Sequence, residues 1–118
     1  MNEPRIAIVG LGYVGLPLAV EFGKQLDTIG FDTSASRVAE LSQGRDHTLE
    51  TPAAEFAAAT RLSFTTDAQA IADCNVFIVT VPTPVDEANR PDLSPLESAS
   101  TSIGTVLKRG DIVIYEST

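Results

Sequence analysis

A glycine pattern near the N-terminus, G-x-G-x-x-G at residues 10–15, constrains the fold of this 118-residue chain more than any other feature. It follows an apolar run at residues 5–9, which is typical of a buried parallel strand. It precedes residues 14–25, where apolar side chains recur at helical spacing. Between a strand and a helix, this pattern indicates a loop that binds the pyrophosphate of a dinucleotide. The alternative is a glycine-rich turn that binds nothing.

The three glycines have separate physical roles. Gly10 permits a tight turn, Gly12 has no Cβ and so lets a pyrophosphate approach the backbone, and Gly15 lets the helix lie close to the strand. The helix N-terminus adds unpaired N–H groups and a partial positive charge, which both favour a phosphate.

Beyond this turn, strand-like runs alternate with helical patterns along the whole chain. The alternation predicts a parallel sheet with helices on both faces, joined by right-handed crossovers. The order of strands and helices along the sequence is consistent with a dinucleotide-binding domain and with a flavodoxin-like domain, and it does not distinguish between them. A receiver domain is disfavoured because the first strand ends in glycine. We expect strands at 5–9, 28–31, 62–65, 76–81 and 111–115, and helices at 14–25, 35–42, 52–59, 67–72 and 95–107.

Capping residues mark several of the helix ends. Thr51 and Pro52 are predicted to be the N-cap and the first residue of a helix. Residues 66–69 and 94–97 fit the capping box, with the first residue of each as the N-cap. Gly44 is predicted to end the helix at 35–42.

Asp32 supports the dinucleotide interpretation. It lies 20 residues after Gly12, at the end of the second predicted strand, where a carboxylate can accept hydrogen bonds from the adenosine ribose. A carboxylate would repel a 2′-phosphate, so the sequence favours NAD over NADP. The alternative is an N-cap aspartate for the helix that follows.

Other polar residues follow the predicted strands. Arg37 lies five residues after Asp32, where a planar guanidinium can stack near the adenine or ribose; the alternative is a solvated helix charge. Thr83 follows the fourth strand, and Ser117 and Thr118 follow the fifth. Because ligands bind at the carboxyl ends of parallel strands, these hydroxyls are expected near the second half of a dinucleotide. Ordinary turn chemistry is the alternative.

The composition of the chain excludes some kinds of binding partner. Eight Lys and Arg against sixteen Asp and Glu give a formal charge of −8, which argues against general binding to nucleic acid or an anionic membrane. No apolar stretch approaches the ~20 residues of a membrane span, and the first residues do not resemble a signal peptide. We therefore expect a cytoplasmic protein of one domain.

The single cysteine and the single histidine are expected to have no chemical role. Cys74 precedes a strand, at the end of the sheet away from the ligand, and is predicted to be a small structural residue. His47 has no second histidine or cysteine near it, so we expect a solvated loop and no metal site.

Five segments of the chain together resemble the UDP-glucose/GDP-mannose dehydrogenase family. They are GLGYVGLP at 10–17, Phe31-Asp32 followed by Arg37-Val38, Gly44-Arg45-Asp46 with Thr48 and Glu50, VPTP at 81–84 and YEST at 115–118. Residues 16–17, PDLS at 91–94 and the YEST segment are most similar to the UDP-N-acetylhexosamine 6-dehydrogenase branch. Enzymes of that branch make uronic acids for surface polysaccharides.

This resemblance implies an α/β fold, a Rossmann-type doubly wound parallel sheet of about five strands. It also implies NAD as the cofactor, with two hydrides passing to two NAD molecules as the C6 alcohol of a UDP-sugar becomes a carboxylate. The residues implied in cofactor binding are Gly10, Gly12, Tyr13, Val14, Gly15, Asp32, Arg37, Val81, Thr83, Ser117 and Thr118.

The family's nucleophilic cysteine, its lysine and its UDP-sugar pocket lie in later segments, and Cys74 does not match them. We therefore expect residues 1–118 to be a truncated N-terminal half, a NAD-binding domain without catalytic residues, from a homo-oligomeric enzyme. It is expected to bind NAD without turnover. A non-catalytic nucleotide-binding or regulatory module and a generic α/β interaction domain are the alternatives.

Overall fold

A computed structural model describes residues 3–12, 14–47, 51–81, 90 and 92–116. The elements follow the predicted alternation. They are β1 (Ile6–Val9), α1 (Gly15–Gly23), β2 (Thr28–Phe31), α2 (Ala35–Ser42), α3 (Ala53–Ala58), β3 (Leu62–Thr65), a 3-10 helix (Ala68–Ile71), β4 (Val76–Val79), α4 (Ser94–Gly104) and β5 (Ile112–Tyr115). None of the described helices is long and apolar enough to cross a membrane.

The five strands form one parallel sheet in the order β3-β2-β1-β4-β5. This is the strand order of a dinucleotide-binding domain, whereas a flavodoxin-like sheet has its second strand at the edge and its third beside the first. The flavodoxin-like alternative is therefore wrong. Val9 lies opposite both Phe31 and Val79, so the three central strands end together at one edge of the sheet.

Each face of the sheet has its own hydrophobic core. Alternate residues of β1 divide between them, because neighbouring side chains of a strand point to opposite faces. Ala7 and Val9 pack with α4 and the 3-10 helix, and Ile6 and Ile8 pack with α1 and α2. All four are at most 3% exposed, so β1 is the centre of a doubly covered sheet, as its continuous apolar sequence predicts.

Several element ends differ from the sequence prediction by a few residues. The helix predicted to reach residue 25 ends at Gly23, and the helix predicted to reach residue 107 ends at Gly104. In both cases N–H groups that follow the helix, such as that of Gln25, donate to the carbonyl oxygen three residues earlier. An α-helix uses the carbonyl oxygen four residues earlier, so the last turn is tighter than an α-helical turn. The strand predicted to reach residue 81 ends at Val79.

Three predicted caps are displaced by one residue. Pro52 is the N-cap of α3 in an extended conformation, and Asp67 is the N-cap of the 3-10 helix, where it accepts a hydrogen bond from the Gln69 N–H. Leu93 precedes α4 as its N-cap. Ser94 is itself the first residue of the helix, and its hydroxyl donates to an Asp92 carboxylate oxygen at 2.6 Å.

Candidate dinucleotide-binding site

The carboxyl ends of the strands open onto a cleft of about 380 Å³. The loop after β1 forms its floor, the residues after β2 form one wall, and α4 forms the other. The cleft lies where the strand order reverses, between β1 and β4, which is where open parallel sheets bind their ligands.

The glycine loop has the geometry that its sequence predicts. Gly10 has a φ of +102°, which an L side chain rarely adopts. A Cβ built on Gly15 would overlap the carbonyl oxygen of Gly10 and the hydroxyl of Thr80, so only glycine lets α1 begin this close to β1. A Cβ on Gly12 would have no described atom within 4 Å, and Gly12 lines the cleft. The backbone at Gly12 is therefore open to a ligand.

Thr80 holds the turn of the loop in place. Its hydroxyl is buried and lies 2.7 Å from the carbonyl oxygen of Gly10 and 3.2 Å from that of Val9, to which it donates. This residue supports the site without lining the cleft, and the sequence analysis missed it. No local pattern could have identified it, because its partners are some seventy residues away in the sequence.

Asp32 joins the glycine loop to the start of α2. One of its carboxylate oxygens accepts the Leu11 N–H at 2.9 Å, and the other accepts the Ser34 N–H at 2.9 Å. The N-cap of α2 is Ser34, whose hydroxyl oxygen accepts the Arg37 N–H. The N-cap alternative for Asp32 is therefore wrong. Its carboxylate lines the cleft, as the dinucleotide interpretation requires.

Arg37 lies in a network of hydrogen bonds with little exposure to solvent. Its Nε donates to the carbonyl oxygen of Leu11 at 2.9 Å, and its Nη1 donates to Asp46 at 2.8 Å and to Glu40 at 3.1 Å. The side chains of Arg37 and Asp46 are 11% and 1% exposed, so the alternative of a solvated helix charge is wrong. Asp46 also accepts the Thr51 N–H at 3.2 Å.

Arg37 and Glu40 keep their charges at neutral pH. At Arg37, burial opposes the charged form, but the hydrogen bonds with Asp46 and Glu40 outweigh it and raise the pKa of the guanidinium above its usual value. Burial likewise opposes the charge of Glu40, but hydrogen bonds with His47 and Arg37 lower the pKa of its carboxyl below its usual value. Both groups are therefore charged at pH 7.

The wall formed by α4 was not predicted. Pro95, Ser98, Ala99 and Ser102 line the cleft at spacings of three and four residues, so they share one face of the helix. The periodicity of the segment could have identified a common face. It could not have shown that this face lies beside the glycine loop, because that depends on the sheet order.

Five of the seven described residues that were predicted to bind the cofactor lie at this cleft. Gly10, Gly12, Asp32, Arg37 and Val81 line it. Val14 and Gly15 lie behind them at the start of α1, as its N-cap and its first residue. The remaining predicted residues, Tyr13, Thr83, Ser117 and Thr118, lie outside the described part of the chain.

Cys74 and His47 lie away from the cleft. Cys74 precedes β4, at the opposite end of the sheet, and is 2% exposed. Burial raises the pKa of its thiol to about 11, so the thiolate is scarce at neutral pH. The His47 side chain is 71% exposed, and its Nδ1 lies 2.5 Å from Glu40.

The described residues fit a dinucleotide. Gly12 leaves an open backbone for a pyrophosphate, Asp32 presents carboxylate oxygens for a ribose, and Phe31 and Val81 add apolar surface to the same cleft. Fold and site together define a dinucleotide-binding domain of the dehydrogenase type.

Comparison with known proteins identifies the family. The sequence profile of the UDP-glucose/GDP-mannose dehydrogenase family, NAD binding domain, matches residues 4–118. The chain belongs to this family and is its NAD-binding domain, with NAD as the cofactor. The predicted family, Rossmann-type fold and cofactor are therefore confirmed.

Similar proteins include two UDP-N-acetyl-D-glucosamine 6-dehydrogenases. The one from Pseudomonas aeruginosa is 64% identical and the one from Salmonella typhi is 54% identical, in each case over all of this chain and 28% of the relative. Among solved structures, a UDP-D-ManNAc dehydrogenase from Pyrococcus horikoshii matches with a TM-score of 0.88 and 36% identity, over 97% of this chain and 28% of that one. The chain thus spans little more than a quarter of these relatives.

Proposed function

We propose that this chain is the NAD-binding portion of a nucleotide-sugar dehydrogenase that oxidises the C6 alcohol of a UDP-sugar to a uronic acid for surface polysaccharide. The sugar is a UDP-N-acetylhexosamine. The observation that carries this proposal is the 64% identity, over the whole chain, with a UDP-N-acetyl-D-glucosamine 6-dehydrogenase. The cleft supports it, because it provides for a dinucleotide from the glycine loop to Asp32.

Within this proposal, each part of the cleft binds a different part of NAD. The open backbone at Gly12 and the N-terminus of α1 hold the pyrophosphate, with Tyr13, Val14 and Gly15 contributing through that turn. Asp32 accepts hydrogen bonds from the adenosine ribose. NAD, when bound, supplies the hydride acceptor.

The residues at the other strand ends complete the proposed cofactor site. Arg37 borders the adenosine end, and Gly10 and Val81 support the middle of the cleft. The hydroxyls of Thr83, Ser117 and Thr118 are proposed to contact the nicotinamide half, which follows from the resemblance and from their positions after the fourth and fifth strands.

We assign the catalytic residues and the UDP-sugar site to segments other than these 118 residues. In support, the chain spans 28% of its Pseudomonas aeruginosa relative, and Cys74 has a buried, protonated thiol at the wrong end of the sheet for a nucleophile beside the nicotinamide. The proposed reaction consumes NAD and a nucleotide sugar, which are cytoplasmic metabolites, so we place the protein in the cytoplasm.

Turnover by this chain alone tests this division of roles. With NAD and UDP-N-acetylglucosamine, we expect no increase in NADH absorbance above a blank without protein, because no residue here matches the family's nucleophile. NAD binding without turnover is also what a regulatory module would show. Sequencing the gene past Thr118 separates the two: a catalytic cysteine motif supports the dehydrogenase, and its absence supports the module. Sustained NADH production by this chain would contradict the division.

We also propose that the chain associates with a second copy of itself. β5 is at the edge of the described sheet, and its Ile112, Ile114 and Tyr115 side chains are 56%, 40% and 51% exposed. An apolar edge strand with unpaired backbone groups favours pairing with another chain. Light scattering over a range of protein concentrations should show a mass that rises above that of a monomer, and a monomer at every concentration would contradict this.

A further inference from the structure

Arg37 is placed where it can affect whether the cleft binds NAD or NADP. In dinucleotide-binding domains, an arginine near the ribose accommodates the 2′-phosphate of NADP, whereas an acidic residue binds the 2′-hydroxyl of NAD. This cleft contains both, since Asp32 and Arg37 line the same wall. The preference therefore depends on whether the guanidinium charge is available to a ligand.

The hydrogen bonds of Arg37 show that most of its binding capacity is used within the protein. Nε donates to the Leu11 carbonyl oxygen, and Nη1 is shared between Asp46 and Glu40. Nη2 forms no hydrogen bond with the residues that the structure describes. A guanidinium binds a phosphate best through two parallel N–H groups on neighbouring nitrogens. The N–H groups of Nε and Nη1 already donate to the Leu11 carbonyl and to the two carboxylates, so no such pair is left for a phosphate.

The local charge also opposes a phosphate. Glu40 and Asp46 both contact Arg37, and Asp32 is joined to it through the backbone of Leu11, which donates its N–H to Asp32 and accepts from Arg37. Two carboxylates therefore contact the guanidinium, and a third is linked to it through Leu11. A phosphate monoester carries an additional charge of about −1.5 to −2 at pH 7, and the network presents it with net negative charge.

We propose that Glu40 and Asp46 are specificity-determining residues, which make the cleft select NAD over NADP by neutralising Arg37. This deepens the proposed function and rests on it, because it concerns the adenosine end of the proposed NAD site. Neither carboxylate lines the cleft, so their effect on a ligand acts through Arg37 and through the local field.

The test measures the ratio of NADP affinity to NAD affinity, by calorimetric titration at low ionic strength. Glu40→Gln keeps an oxygen that can accept from Arg37 while removing the charge, and Asp32→Asn removes the direct repulsion. We expect the ratio in the Asp32→Asn, Glu40→Gln double variant to be about tenfold higher than in Asp32→Asn alone, which is the size expected for one charge acting on a dianion across a partly solvated site. Asp46→Asn in the same background should raise the ratio in the same direction.

Two controls identify the cause of any change. Glu21→Gln makes the same change of net charge on α1, where Glu21 pairs with Lys24, and should leave the ratio unchanged. Adding Arg37→Gln to the double variant should reduce the gain in NADP affinity, because only the effect of the local field then remains. A purely structural role for Glu40 would change both affinities together and leave their ratio the same.

The outcomes separate this inference from the proposed function. A ratio that changes less than twofold on Glu40→Gln, in a chain that still binds NAD, overturns the role of the carboxylates and leaves the NAD site intact. Asp46 is buried, so Asp46→Asn is checked for folding by circular dichroism, and if it does not fold, the Glu40→Gln result decides alone. Failure of the unmodified chain to bind NAD would contradict the proposed function and this inference together.

Discussion

Gly15→Ala is expected to lower the free energy of unfolding by at least about 3 kcal/mol, which is a large part of the stability of a domain this size. The added methyl group would overlap the carbonyl oxygen of Gly10 and the hydroxyl of Thr80. Both are held in place, because the Thr80 hydroxyl donates to the Gly10 carbonyl at 2.7 Å. Alanine favours a helix over glycine by about 1 kcal/mol at most, so the clash dominates. Urea unfolding followed by circular dichroism measures the loss.

Gly12→Ala is the matched control for this prediction. A methyl group on Gly12 meets no described atom within 4 Å and Gly12 has no positive φ, so we expect a stability within about 0.5 kcal/mol of the unmodified chain. The same methyl group projects from the loop where a pyrophosphate would approach, so NAD binding should be lost. Equal stability of the two variants would contradict the role of Gly15, and NAD binding by Gly12→Ala as tight as that of the unmodified chain would contradict the role of Gly12.

Asp32→Ala is expected to weaken NAD binding by roughly 10-fold to 100-fold, corresponding to about 1.5–3 kcal/mol for hydrogen bonds that involve a charged group. Two causes act together. The variant loses the acceptor for the ribose hydroxyls. It also loses the carboxylate that holds the Leu11 N–H and the Ser34 N–H at 2.9 Å each, so the glycine loop and the start of α2 are less fixed. Calorimetric titration of each variant with NAD gives the change in affinity.

Asp67→Ala separates the ligand contact from a general effect of losing a loop carboxylate. Asp67 also follows a strand of the same sheet and accepts a backbone N–H, that of Gln69 at 2.9 Å, but it does not line the cleft. We expect a cost of about 1 kcal/mol in stability from the lost cap and an unchanged affinity for NAD. Equal losses of NAD affinity in Asp32→Ala and Asp67→Ala would remove the assigned role of Asp32.

The sequence was sufficient to predict the central part of the site. The glycine pattern and Asp32 are local features, and each follows a strand that the apolar runs identify. Parallel strands end at one edge of the sheet, so residues that follow different strands are expected to lie close together even when the strand order is unknown. The roles of Gly10 and Gly15 also follow from covalent geometry alone, and the φ of +102° at Gly10 agrees with them.

The parts that could not be predicted depend on side-chain contacts that no local sequence pattern shows. Thr80 reaches back to Gly10, and Asp46 reaches Arg37 across the end of α2, so neither role is visible in a local pattern. The contribution of α4 depends on the order of the strands, which alternation does not determine. The N-caps Pro52 and Leu93 each lie one residue from the predicted N-cap. A capping pattern predicts that a helix begins nearby, but it does not fix the exact first residue.

The cleft beside the glycine loop is assigned to NAD. The most direct test is calorimetric titration of the unmodified chain with NAD, NADP, FMN and a UDP-sugar in parallel. We expect saturable binding of NAD, at least tenfold weaker binding of NADP because of Asp32, and no binding of FMN. Binding of FMN in preference to NAD, or no binding of NAD at concentrations well above its cellular level, would show that the cleft is not a NAD site.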